Sequence, residues 1–173
     1  MDLYNKIRDV KDFPKEGILF KDITTLMQDG EAFKESIDKI LEFVKDVDFD
    51  TVVAPEARGF LFGTPVSYAL GKNFVPVRKP GKLPYETVSQ SYDLEYGSET
   101  IEMHIDAISK GQKVVIIDDL LATGGTTKAI IDLVEKMGGV VEKLVFLIEL
   151  EGLNGRELLK GYNIESVLKY DEV

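Results

Sequence analysis

The stretch VVIIDDLLATGGTT, residues 114–127, constrains this chain more than any other. Four β-branched residues run into two adjacent aspartates, and two glycines among threonines follow at once. A short, wholly apolar run bounded by turn residues is expected to be a strand buried on both faces, here residues 113–117. Residues 126–137 read as the helix after it, with Gly138 as its C-terminal stop. Strand, small-residue turn and helix in that order belong to an α/β sheet rather than to an all-helical or all-β fold.

The rest of the chain repeats the alternation. Residues 31–45 place Phe33, Ile37, Ile40, Leu41 and Val44 on one face of a helix. Residues 51–54 and 73–77 read as short strands, with a helix at 59–70 between them. Residues 78–90 lack periodicity and contain proline and glycine, so a loop is expected there, long enough to suspect function. Residues 101–105 alternate as a half-exposed strand does, which makes His104, the single histidine, a strand surface residue. Strands at 140–150 and 164–169 enclose a short helix at 155–159. The expected fold class is α/β, a mostly parallel central sheet flanked by helices. A chain of 173 residues with 44% hydrophobic content fits one such domain, residues 1–173, around one core.

Composition removes several functions. A net charge of −10 argues against nucleic-acid binding, which uses basic surfaces. The absence of cysteine excludes disulfides, thiolate metal sites and cysteine nucleophiles. No apolar run approaches the roughly 20 residues of a membrane span, and the opening MDLYNKIRDV lacks the apolar core of a signal peptide, so a cytoplasmic location is expected.

In open α/β sheets ligands bind at the carboxyl ends of the strands, where the opening stretch lies. Gly124 and Gly125 let backbone approach a ligand closely. The N–H groups and positive end of the following helix attract an anion, and Thr123, Thr126 and Thr127 add hydroxyl donors. Asp118 and Asp119 need a different partner: carboxylates accept from sugar hydroxyls and hold Mg²⁺ directly or through its waters. Two acids beside an anion cup suit a sugar phosphate. PEARGF, residues 55–60, again joins a strand to a helix. Backbone donors from residues 57–59, Gly59 among them, and the charge of Arg58 make a second cup. Arg78, Lys79 and Lys82 concentrate positive charge in an acidic protein.

VVIIDDLLATGGTT resembles the phosphoribosyl-pyrophosphate (PRPP) signature of the type I phosphoribosyltransferase family. Five further stretches resemble the adenine-using members of that family: DFPKEGILFKDIT at 12–24, EARGFLFG at 56–63, VRKPGKLP at 77–84, SYDLEYG at 91–97 and LIELEGLNGRE at 147–157. The resemblance runs through nearly the whole chain, in order and without large insertions. It implies that Asp118 and Asp119 hold the ribose hydroxyls and that Ala122, Thr123, Gly124, Gly125 and Thr126 wrap the 5′-phosphate. Arg58, Gly59, Arg78, Lys79 and Lys82 are implied to serve the pyrophosphate, partly across a homodimer interface, and Tyr96 to position a phosphate or the loop. Residues 1–30 become a base-binding hood in which Phe20 stacks on the purine, Leu150 packs its other face, and Leu19 and Lys21 read its edge through their backbone. Position 21 is Arg in many relatives. Residues 78–97 become a mobile catalytic loop.

Hypoxanthine-type relatives carry Asp where this chain has Ala122, so another group must take the purine proton, and Glu95 is the candidate. The substrates implied are adenine and PRPP, with Mg²⁺ carried on the pyrophosphate and no direct protein metal site. A xanthine or guanine enzyme and a nucleotide-sensing regulator on the same fold are the alternatives.

Overall fold

The computed structural model describes residues 1–94 and 96–171. A 3-10 turn at Leu3–Lys6 leads into an antiparallel pair, β1 (Arg8–Lys11) and β2 (Leu19–Asp22), then α1 (Thr24–Met27) and α2 (Gly30–Val44). The main alternation follows: β3 (Thr51–Pro55), α3 (Arg58–Leu70) and β4 (Asn73–Val77). An antiparallel hairpin, β5 (Thr87–Asp93) and β6 (Ser98–His104), precedes β7 (Lys113–Leu121), α4 (Gly125–Lys136), β8 (Val140–Leu150), α5 (Gly155–Leu158) and β9 (Ile164–Tyr170). The central sheet has five parallel strands in the order β4-β3-β7-β8-β9.

Side chains alternate across a strand, so a fully apolar strand feeds two cores. Val52, Val115, Ile117, Val145 and Leu147 face one layer, where α2 contributes Ile37 and Ile40 and α3 contributes Phe62 and Val66. Val53, Val114, Ile116, Leu144 and Phe146 face the other, against Ile130, Leu133 and Val134 of α4 and Ile101 and Met103 of β6. The helix expected at 31–45 is α2, and Asp29 caps it by accepting from the N–H groups of Glu31 and Ala32. Among the described residues no helix is long and apolar enough to cross a membrane.

Two expectations are corrected. The loop at 78–90 is shorter, because residues 87–93 form β5, paired from Thr87↔His104 to Asp93↔Ser98. The strand at 113–117 is longer. β7 runs to Leu121 because β8 keeps pairing with it, through Asp118↔Phe146 and Leu120↔Ile148. The paired aspartates therefore lie inside a strand, not after it.

The strand order explains where a ligand fits. From β3 the chain moves to β4 at one edge and then crosses to β7 on the other side of β3, so the winding reverses between β3 and β7. Helices α3 and α4 consequently cover opposite faces while both start at this one crevice.

Candidate active site

The β3–β7 ladder runs from Thr51↔Val114 to Val53↔Ile116. Past that point the strands part, and a cavity of about 270 Å³ opens between them. Residues 55–58 line one side and residues 118–127 the other, so both expected anion cups face the same space.

Each cup is the open end of a helix. The N-cap of α4 is Gly124, left-handed at φ +90°, and the first turn of the helix carries neither a capping side chain nor an acid. The N-cap of α3 is Ala57, with the same two features, and the Glu56–Ala57 peptide before it is cis. Uncapped first-turn N–H groups retain their hydrogen-bonding capacity and the positive end of the helix dipole. Behind the α4 cup sits α5. A Cβ on Gly124 would stand 3.0 Å from the Gly155 carbonyl oxygen, so the two segments touch through backbone. The end of β8 anchors this support: Arg156 donates twice to Glu149, at 2.7 and 2.9 Å, and Ser166 of β9 donates to the same carboxylate at 2.8 Å. Burial opposes the charge on Glu149, but Arg156 and Ser166 hold its carboxyl below the usual range.

The acid pair is differentiated. Asp119 is 5% exposed, and its Oδ2 meets Arg58 Nε at 2.9 Å. Asp118 Oδ1 accepts from the Asp119 N–H at 2.8 Å and lies 2.9 Å from the position of a Cβ on Gly59. A side chain at position 59 would displace that carboxylate, which is the physical reason for glycine there. Burial first, and then the Asp119 carboxylate, push the Asp118 carboxyl well above its ordinary range. A ligand bringing hydroxyl donors or positive charge relieves both effects.

The expected cations are placed unequally. Arg58 is in the cavity wall, and its guanidinium carbon sits 5.4 Å from the Phe20 ring centroid, which links the acid pair to the N-terminal region. Arg78 and Lys79 line an adjoining cavity of about 150 Å³ together with Glu56, Tyr92 and Thr126, whereas Lys82 lines neither. Glu56 accepts from the Lys79 N–H at 2.8 Å and from Arg78 Nε at 3.1 Å, which holds its carboxyl below the usual range. The first cation of the basic loop is thereby tied to the rim of the main cavity.

Of the expected base contacts, Leu19, Phe20 and Lys21 share β2. Phe20 packs edge-on against Phe13, with centroids 5.1 Å apart, beside a cavity of about 250 Å³ lined by Val10, Phe13, Phe20, Asp22 and Thr24. Lys21 is buried, with Nζ 2.8 Å from Asp9 and 4.1 Å from the Tyr170 ring centroid. Leu150 ends β8 and packs on the α2–α3 core layer; it is not in the wall of the Phe20 cavity. Tyr96 is 81% exposed at the hairpin turn. Glu95 lies outside the described residues. The sequence reading passed over Tyr92, which bonds Thr126 through its hydroxyl, although it stands inside the quoted SYDLEYG.

Fold and site together define the class: a parallel α/β sheet whose switch point carries an acid pair between two uncapped helices is the type I phosphoribosyltransferase arrangement. A family model described as the phosphoribosyl transferase domain matches residues 24–164. An adenine phosphoribosyltransferase from Acetivibrio thermocellus is 61% identical, covering 98% of this chain and 100% of its own. The crystal structure of the adenine phosphoribosyltransferase from Thermoanaerobacter pseudethanolicus superposes with a TM-score of 0.96 at 54% identity, over 98% of both chains. The enzyme from Saccharomyces cerevisiae, solved with adenine and an imino-altritol bisphosphate, matches with a TM-score of 0.90 at 38% identity, over 96% of this chain and 97% of that one. The chain belongs to the phosphoribosyltransferase family, in its adenine phosphoribosyltransferase branch.

Proposed function

We propose that this protein transfers the phosphoribosyl group of PRPP to adenine, forming AMP and pyrophosphate. One observation carries the reading: two uncapped helix starts and a differentiated acid pair converge on one cavity, with an aromatic ring linked to it through Arg58. The adenine assignment is supported by relatives of that name at about 60% identity.

In the proposed reaction N9 of adenine attacks C1′ of the ribose as the bond from C1′ to the pyrophosphate oxygen breaks. The turn from Ala122 to Thr126 holds the 5′-phosphate, through the backbone N–H groups of residues 124–126 and the hydroxyls of Thr123 and Thr126. Asp118 and Asp119 accept from the ribose hydroxyls and stabilise positive charge developing on the ring. Arg58 and the N–H of Gly59, with Arg78, Lys79 and Lys82 from the basic loop, attract the pyrophosphate. Phe20 and Leu150 sandwich the base, and backbone groups of Leu19 and Lys21 read its edge. Glu95 receives the purine proton, and Tyr96 orders the segment around it. Residues 78–97, the basic loop and the hairpin, cover the site and keep water from the reactive centre.

Among the described residues no cluster of three acidic or imidazole side chains could cage a metal, and Asp119 is already engaged by Arg58. A pair of carboxylates nonetheless fits Mg²⁺, which is commonly held by one or two carboxylates, waters and substrate phosphates. Asp118 and Asp119 would hold it through its waters while the substrate phosphates bind it directly, and it would supply charge neutralisation of the leaving pyrophosphate. The homodimer is part of the proposal. Leu61 and the 91% exposed Tyr68, two turns apart on α3, share an outer apolar face suited to it. The cytoplasm is the proposed setting.

Nucleotide titration calorimetry tests the base assignment, with AMP expected to bind at least about tenfold more tightly than GMP or IMP. Preference for GMP or IMP would contradict it. Glu95→Gln is expected to lower kcat by about 10²-fold or more, with a smaller change in KM. A change confined to KM would remove Glu95 as proton acceptor.

A further inference from the structure

The hairpin β5–β6 reaches the phosphate cup through one side chain. The half-buried Tyr92 ring lies against Gly125: a Cβ there would stand 3.3 Å from Tyr92 Cδ2. The Tyr92 hydroxyl is 2.9 Å from Thr126 Oγ1. Thr126 lines both the main cavity and the smaller one beside Arg78 and Lys79, so this contact is in the wall between them.

A threonine hydroxyl has one proton to donate and can accept elsewhere. Without a donor facing it, the Thr126 proton is free to rotate away from a ligand. A phosphate is acceptor-rich, so a hydroxyl beside it is useful only while its proton points inward. We propose that Tyr92 is a positioning residue for the phosphate end of the substrate. Its O–H donates to Thr126 Oγ1 and thereby directs the Thr126 proton at the bound phosphate. This rests on reading the turn after β7 as a phosphate cup. Ring and hydroxyl have separate tasks. The ring seats the hairpin on the Gly125 turn, and the hydroxyl orients Thr126. Because one residue does both, occupancy of the cup and docking of the hairpin favour each other.

The test is Tyr92→Phe, which keeps the ring on Gly125 and removes only the donor. The probe is ribose 5-phosphate, measured by titration calorimetry, alongside KM values for PRPP and adenine. The variant is expected to weaken ribose 5-phosphate binding about fivefold to tenfold and to raise KM for PRPP in proportion. KM for adenine and Tm should stay at wild-type values, a split that general loosening of the hairpin would not give. Thr126→Ala should weaken the probe at least as much, and Tyr92→Phe with Thr126→Ala should bind no worse than Thr126→Ala alone. Wild-type affinity in Tyr92→Phe, or fully additive losses, would overturn the proposal. Failure of the wild-type protein to bind ribose 5-phosphate would overturn the phosphate-cup reading itself, and this inference with it.

Discussion

Asp118→Asn combined with Asp119→Asn is expected to leave the fold intact and lower kcat/KM for PRPP by about 10²–10³-fold, the scale seen when a group facing developing charge is removed. The isosteric amides keep the packing around Gly59 and the β7–β8 ladder, so the loss falls on chemistry. The stability effect has the opposite sign. A carboxyl held above its ordinary range disfavours the folded state at pH values above its unfolded-state value, where the unfolded chain is free to ionise it. The penalty is present at pH 7 and fades as pH falls toward that unfolded-state value. Removing the Asp118 charge should therefore keep or raise Tm at pH 7, while loss of the Arg58–Asp119 pair costs little because Arg58, 44% exposed, stays solvated and the amide at position 119 carries no charge. Thermal melts and steady-state kinetics on the same preparation check both signs. Near-normal turnover would refute the role of the acid pair. A collapse of Tm would show instead that the pair is structural.

The second large effect is expected at Gly124. Gly124→Val places a β-branched residue at φ +90°, a left-handed conformation that costs an L-residue roughly 1–2 kcal/mol. Its Cβ also stands 3.0 Å from the Gly155 carbonyl oxygen, and α5 is anchored by Glu149 and Arg156 and yields little. The turn must then shift outward, carrying the first N–H groups of α4 with it. A displacement near 1 Å costs about 10²-fold in rate. Gly111→Val is the control: φ is +83° and nothing lies within 4 Å of the added Cβ, so it carries the same backbone strain at the end of β7 opposite the cup. Both variants should lose stability, but only Gly124→Val should lose activity. Equal kinetics in the two would mean that the α4 cup does not hold the substrate.

The elements that were legible in the sequence are those whose pattern is local. The apolar runs of β3, β7 and β8 and the helical face of α2 each announce themselves within a dozen residues. The acid pair and the glycine turn were legible for the same reason, since one continuous stretch carries both. Strand β5 was not, although its partner β6 was read at 101–105. TVSQSYD has few apolar residues and follows Pro80, Gly81 and Pro84, so its strand character comes from pairing with residues 98–104. The reach of β7 past Ile117 was hidden because nothing in DDLL signals a strand; continued pairing with β8 creates it. The Arg58–Asp119 pair joins residues far apart in sequence, and only the β3–β7 adjacency brings them together. Tyr92 was passed over because its partner, Thr126, belongs to another stretch, and the link exists only where the hairpin meets α4.

Transfer of phosphoribose to adenine is tested by a direct assay. Purified protein would be supplied with PRPP and Mg²⁺, and pyrophosphate release followed with adenine, hypoxanthine, guanine and xanthine in parallel. Turnover is expected with adenine, and background rates with the three oxopurines. Turnover of an oxopurine in preference to adenine, or binding of PRPP with no turnover of any base, would contradict the proposed transfer.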